Sequence, residues 1–256
     1  MKRGTRLAAL MLVLACLVSP VPAAAKKNKP TPTPAPRAIT TEVIQDVPEE
    51  IQALLDLAYG EWESLSGKVL KKSNKYTKWR NDYEWGWCGG FLTWCMLELG
   101  VPQQRLNEME SGEVPGVAHV LEASVGKILT GYLMMNRTTL MPQKGFLVVY
   151  GKKNAGSYLH IGLVYDVEDL GGGKYRLTTI EGNMSNTVRM YTRDYDMNAA
   201  KQKNLTMLPA AERTEEESRK FSYKIPNNWY INMFLMPWVP EGMAGEGLTV
   251  IPTPAP

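Results

Sequence analysis

Residues 84–97 read Glu-Trp-Gly-Trp-Cys-Gly-Gly-Phe-Leu-Thr-Trp-Cys-Met-Leu. A polar, aromatic loop (Asn81, Asp82, Tyr83, Glu84, Trp85, Gly86, Trp87) gives way at Cys88 to an apolar stretch of helical period. The pattern predicts a helix from Cys88 to Leu99, stopped by Gly100 with Pro102 beyond it. A cysteine that opens a helix sits at the positive end of the macrodipole, among backbone N–H groups with no intrahelical partner. Both favour thiolate, the form of cysteine that attacks carbonyl carbon.

Cys95 lies seven residues further along the same helix. That separation sets the two Cα atoms about 10.5 Å apart, whereas a disulfide needs less than about 7 Å. Cys88 and Cys95 are therefore expected to be free thiols, with Cys95 a small buried hydrophobe two turns in.

Outward from this helix, the two ends of the chain differ from its middle. Residues 1–25 read as a secretory signal: Lys2, Arg3 and Arg6, then apolar Leu7–Val18, then Ala23-Ala24-Ala25 before Lys26. The apolar core is shorter than the roughly 20 residues that span a bilayer, so no membrane span is expected. Val13-Leu14-Ala15-Cys16 loosely resembles a lipoprotein cleavage box, but apolar sequence continues past Cys16. Residues 26–40 are a Pro/Thr-rich linker, and 241–256 a Pro-rich tail of similar composition. One domain is expected between them, at 41–240. Removing the signal takes three basic residues from the net charge of +3 and leaves 26 of each sign. With no basic run interleaved with aromatics, nucleic acid is excluded as a partner.

Within the domain, helices precede strands. Asp46 with Glu49 reads as a capping box, opening a helix whose stripe is Ile51, Leu54, Leu55, Ala58 and Trp62. Val117–Leu133 reads as a helix, or a helix and loop. The period then changes: Gly145–Tyr150, Tyr158–Val167, Lys174–Ile180 and Trp229–Trp238 are strand-like, and 201–220 is a charged insertion. The expected class is α+β, with N-terminal helices packed on a mainly antiparallel sheet.

A cysteine nucleophile needs a base, and the chain has two histidines. His119, near a possible helix start with no carboxylate motif around it, is expected at the surface or at a cap. His160 lies mid-strand in Tyr158-Leu-His-Ile-Gly-Leu-Val and heads a hairpin that turns at Gly171-Gly172-Gly173. With Gly171-Gly172 as a two-residue loop, His160 falls opposite Asn183, and Glu181 shares that face. With Leu170-Gly171 as the loop, Glu181 itself is opposite His160 and Asn183 stays on the face. A three-residue loop puts both on the wrong side. The two-residue registers let a carboxylate reach the imidazole Nδ1, fixing its tautomer and stabilising imidazolium.

Three motifs together resemble the CHAP amidohydrolase/peptidase family, of the NlpC/P60 group of papain-like enzymes. They are Trp87-Cys-Gly-Gly-Phe-Leu-Thr-Trp-Cys, His160-Ile-Gly-Leu-Val and Thr179-Ile-Glu-Gly-Asn. Tyr76-Thr-Lys-Trp, Gly100-Val-Pro and Pro142-x-x-Gly145 also match in order and spacing, so the resemblance covers about residues 48–198. It implies a papain-like fold, and catalytic roles for Cys88 as nucleophile, His160 as base and then acid, and Glu181 as orienting carboxylate. Asn183 is implied as a further polar member. It also implies a secreted, cell-wall-associated bacterial hydrolase of amide or peptide bonds whose partner is peptidoglycan or its peptide stems. Two departures stand out: Phe146 replaces an acidic residue after the Pro-x-x-Gly glycine, and Gly89-Gly90 replaces small residues with one side chain, which is expected to loosen the helix start.

No cofactor and no metal are expected. Asp194-Tyr-Asp196-Met-Asn198 begins like a calcium loop, but Ala199 and Leu205 stand where glycine and a bidentate glutamate belong. The competing readings are a peptidase acting on a protein, an acyl transferase, and a wall-binding module without activity. No feature of the sequence encodes an oligomeric state.

Overall fold

A computed structural model describes residues 42–81, 86–112, 114–152, 158–212 and 229–240. The signal, the linker, the Pro-rich tail, Asp82–Trp85 of the aromatic loop and residues 213–220 of the charged insertion lie outside the described residues.

Four α-helices are described. They are α1 (Glu49–Leu65), α2 (Lys75–Lys78), α3 (Cys88–Glu98) and α4 (Val125–Met134). Nine strands accompany them: β1 (Gln103–Gln104), β2 (His119–Val120), β3 (Thr138–Thr139), β4 (Leu147–Lys152), β5 (Tyr158–Gly171), β6 (Lys174–Glu181), β7 (Arg189–Asp196), β8 (Leu205–Met207) and β9 (Trp229–Leu235). Seven form one sheet in the order β3-β9-β4-β5-β6-β7-β8, every neighbouring pair antiparallel, while β1 and β2 pair in parallel. The class is α+β, as the order of helical and strand periods predicts.

Helix α1 buries Ile51, Leu54, Leu55 and Ala58, the expected stripe, but it starts later than expected. Pro48 is its N-cap residue, no side chain caps it, and Asp46 plays no capping role. A cap must occupy the residue flanking the first turn, and Asp46 is two residues too early; Glu49 and Glu50 instead face the positive helix end. The Val117–Leu133 segment resolves into strand β2 and helix α4.

Helix α3 is buried on every side rather than along one stripe: Cys88 through Thr93, Cys95 and Met96 are all buried. It contacts α1, α2, α4, β2 and β5, so its N-terminus is fixed from several directions. The expectation that Gly89-Gly90 loosens the helix start is overturned. A Cβ built on Gly89 would lie 3.0 Å from the Ala123 carbonyl carbon, closer still to its oxygen, and 2.8 Å from Ile128 Cδ1. The backbone atoms cannot yield, so Gly89 is what lets α3 seat against the Ala123 segment. Gly89→Ala is expected to destabilise the protein by about 1–3 kcal/mol, the usual range for overpacking, in denaturant titration.

Sheet residues alternate as a half-covered antiparallel sheet should. In β7, Arg189, Tyr191, Arg193 and Tyr195 are buried and the residues between them half-buried. Phe146, the departure from the family pattern, is a fully buried core residue whose ring meets Trp238 edge-on at 5.8 Å.

Candidate active site

The site lies where the N-terminus of α3 meets β5 and β6. Cys88 is the first residue of α3 and is 6% exposed. Its sulfur accepts hydrogen bonds from the backbone N–H groups of Gly89 and Ile161 and shares one with the His160 side chain. Cys95 is a buried free thiol, as is Cys88, and burial pushes the Cys95 thiol well above its ordinary range.

His160 stands on β5 directly across from Tyr150 of β4, their rings stacked at 5.8 Å. Its Nε2 lies 2.9 Å from Glu181 Oε2. The carboxylate was expected on Nδ1. The structure puts it on Nε2 instead, the nitrogen at the far end of the ring, which reaches Glu181 on β6. Trp229 tilts against the imidazole at 5.6 Å.

The hairpin register brings Glu181 to His160 by a route not read from sequence. The loop is Gly172-Gly173, closed by a Gly171–Lys174 pair. Two residues of β5, Leu170 and Tyr165, then bulge out of register. Each bulge turns the face over, and the second restores it. Past the second bulge Leu163 pairs with Ile180. Continuing that register sets Gly162 opposite Glu181 and leaves His160 and Glu181 on one face. A Cβ on Gly162 would meet Glu181 Cγ at 2.6 Å, so the glycine makes room for the carboxylate to lean toward the imidazole.

Asn183 is placed differently. β6 ends at Glu181, and Asn183 sits in the following turn with φ of 60°. Its Nδ2 lies 3.3 Å from where a Cβ on Gly86 would be, and among the described residues it makes no hydrogen bond to His160. The structure therefore joins Cys88, His160 and Glu181, and puts Asn183 beside the Gly86–Trp87 approach to Cys88.

Glu181 is completely buried and holds four donors. Its Oε1 accepts from Tyr150 Oη (2.8 Å), Thr179 Oγ1 (2.8 Å) and Arg193 Nη1 (2.6 Å), while Oε2 faces the imidazole. Burial alone would raise the Glu181 pKa; the Arg193 and His160 charges and their hydrogen bonds outweigh it and hold the carboxyl well below its ordinary range. Burial would likewise raise Cys88 and lower His160. Their mutual attraction wins, lowering the thiol and pushing the imidazole up to about 9, with the Glu181 hydrogen bond adding to the rise. Each charge thus favours the other, which biases the pair toward thiolate and imidazolium, a nucleophile beside a proton donor.

Tyr150, Arg193 and Trp229 were not read from sequence. The alternation across 189–196, with Arg193 between Tyr191 and Tyr195, is the signal that could have placed Arg193 on the inner face. His119 corrects an expectation. It is fully buried on β2, not at the surface, with Nε2 2.9 Å from Thr93 Oγ1 and Nδ1 2.9 Å from Tyr132 Oη. Burial lowers its pKa to about 3, so it is a neutral strut under α3, remote in role from Cys88. In the calcium-like segment, Asp194 pairs with Arg176 at 2.9 Å, and Asp196 Oδ1 accepts from the Asn198 and Ala199 N–H groups. Among the described residues no three His, Cys, Asp or Glu side chains converge as metal ligands. Nor is any described helix long and apolar enough to cross a membrane.

The family model described as "CHAP domain" matches residues 78–183, a span that holds Cys88, His160, Glu181 and Asn183. This span is similar to CHAP domains. CHAP domains are hydrolase domains, amidases or peptidases in general, and imply a peptidoglycan-type substrate. The matched span ends before β7 and β9, so Arg193 and Trp229 lie outside it. No curated protein and no solved structure matches the chain.

Proposed function

We propose that this chain is a secreted cysteine hydrolase of bacterial peptidoglycan. It would be either an N-acetylmuramoyl-L-alanine amidase or an endopeptidase of the stem or cross-bridge, built on the papain-like NlpC/P60 plan. The observation that carries the reading is the convergence of Cys88, His160 and Glu181, with the Cys88 sulfur hydrogen-bonded to the His160 side chain and the carboxylate 2.9 Å from Nε2.

In this mechanism the Cys88 thiolate attacks the amide carbon and the carbonyl π pair moves to oxygen. The Cys88 backbone N–H, unpaired in the first turn of α3, donates to that oxyanion. His160 passes its Nδ1 proton to the leaving nitrogen as the C–N bond breaks, leaving a thioester on Cys88. It then takes a proton from water, whose oxygen attacks the thioester; the C–S bond breaks, the acid product leaves, and Cys88 thiolate stands again beside protonated His160. Glu181 keeps its charge throughout and holds Nε2–H, so that Nδ1 faces the sulfur. Asn183, beside Gly86, is placed to meet substrate as it approaches Cys88.

Export follows from the signal read at 1–25, with 26–40 and 241–256 as Pro-rich flanks of a catalytic domain at 41–240. Digesting purified peptidoglycan with the secreted chain and sequencing the fragments by mass spectrometry tests the reading. New free amino groups at one stem or cross-bridge position are expected, with a thioester-linked fragment recoverable on the Cys88 peptide after acid quench. Wall binding without new amino groups, or new reducing sugar ends alone, would sink it.

A further inference from the structure

Strand β7 carries two buried arginines toward Glu181, and the proposed reaction uses neither. Arg189 is paired with Glu181 in backbone register, but its Nε donates to the Met184 carbonyl at 2.9 Å. Arg193 is the one that reaches the carboxylate. Only 3% exposed, it donates from Nη1 to Glu181 Oε1 and to Tyr150 Oη, both at 2.6 Å. Its guanidinium packs 4.2 Å from the Tyr191 ring centroid and 5.2 Å from that of Tyr150.

The donors on Glu181 are distributed unequally. Three of them, from Tyr150, Thr179 and Arg193, converge on Oε1; the imidazole alone faces Oε2. An oxygen with three donors is anchored, and the carboxylate plane is then fixed from one end. Resting on the reading of Cys88, His160 and Glu181 as the reacting group, we infer that Arg193, with Tyr150, is a positioning residue that anchors Glu181 by Oε1 and so aims Oε2 at the imidazole.

Charge supports the same assignment. The Cys88–His160 pair is neutral overall wherever its shared proton sits, so the Glu181 carboxylate and the Arg193 guanidinium sum to zero, whereas without Arg193 a net negative charge would be buried. Arg193 acts on the two titrating groups, Cys88 and His160, through Glu181, whose hydrogen bond raises the imidazole. The other groups facing them are Tyr150 on β4, Thr179 on β6, and Tyr191 and Arg189 on β7.

The test reads Cys88 without any substrate: the rate of alkylation by iodoacetamide against pH, in the wild type, Arg193→Met and Arg193→Lys. The wild-type profile is expected to rise in two steps, first as the thiolate forms and again as His160 loses its proton. In Arg193→Met Oε2 is no longer aimed, so His160 loses the hydrogen bond that raises it and the second step moves down. The thiolate loses part of its partner's support and the first step moves up, each step shifting by about one pH unit. Arg193→Lys keeps the charge and returns both steps toward their wild-type positions. A general loosening of the fold would change the amplitude without moving the two steps toward each other. Arg193→Gln, which fills the space and is neutral, is read instead if Arg193→Met does not fold. Both steps unmoved in a folded neutral variant, or Arg193→Lys shifted as far as it, would overturn the inference. A wild type with the two-step profile that leaves peptidoglycan uncut would fail the substrate proposal alone. A wild type with one ordinary thiol titration would fail the dyad on which the inference rests.

Discussion

Replacing Cys88 with alanine is expected to lower peptidoglycan cleavage by about 10⁵-fold or more, and His160→Asn by nearly as much, while the double variant loses little beyond either. The reason is that the two side chains act as one unit: a protonated imidazole favours ionisation of the sulfur, and the reverse. Removing either destroys both the nucleophile and the proton donor. Fluorescent peptidoglycan release measures all three variants on one scale. Losses that multiply in the double variant would mean that the two side chains act independently. The pH profile adds a direction to the same prediction. Turnover needs imidazolium to protonate the leaving nitrogen, and His160 loses its proton near pH 9. The alkaline limb of kcat/KM should therefore fall near pH 9, well above the ordinary imidazole value of 6.5. Any residual activity of His160→Asn should lack that limb.

The parts of this site legible in sequence are those whose local signals agree. The break from polar loop to apolar period at Cys88 and the stop at Gly100 bracket α3, and the structure ends the helix at Glu98, one residue short of expectation. β5 and β6 follow from their runs of β-formers around three glycines. The register was reached with the right parity through the wrong loop. Three consecutive glycines leave the turn position undetermined, and bulges at Leu170 and Tyr165 have no sequence signature of their own. Their two reversals cancel, so either two-residue reading leaves Glu181 on the face of His160.

What stayed hidden is polar burial. An arginine in a strand reads as solvated, and only a partner distant in sequence makes it buried: Arg193 needs Tyr150, 43 residues away. β7 was missed for the same reason, since its inward positions alternate Arg189 and Arg193 with Tyr191 and Tyr195, a period-2 pattern that does not read as hydrophobic. His119 is the parallel case. Thr93 and Tyr132, 26 and 13 residues away, convert what looks like a surface histidine into a buried strut. A residue's partners decide its burial, and spacing alone does not supply them.

That dependence makes Glu181 the residue where stability and activity should separate. Glu181→Ala is expected to cost about 3–5 kcal/mol of stability, because it strands Arg193 as an uncompensated buried cation, and to cut turnover because Nε2 of His160 loses its only carboxylate. Adding Arg193→Met removes the stranded charge. The double variant should then be more stable than Glu181→Ala alone, a favourable coupling of about 1–3 kcal/mol in a denaturant double-mutant cycle, yet remain as inactive. The sign with pH is fixed by the depressed carboxyl: its contribution is complete above the ordinary value of 4.5 and is lost as pH falls through the lower folded value. The stability gap between wild type and Glu181→Ala should accordingly be constant at neutral pH and narrow only in acid. If the double variant were merely as unstable as the two single losses added, Arg193 and Glu181 would not be a buried pair, and the anchoring of the carboxylate would have to come from Tyr150 and Thr179 alone.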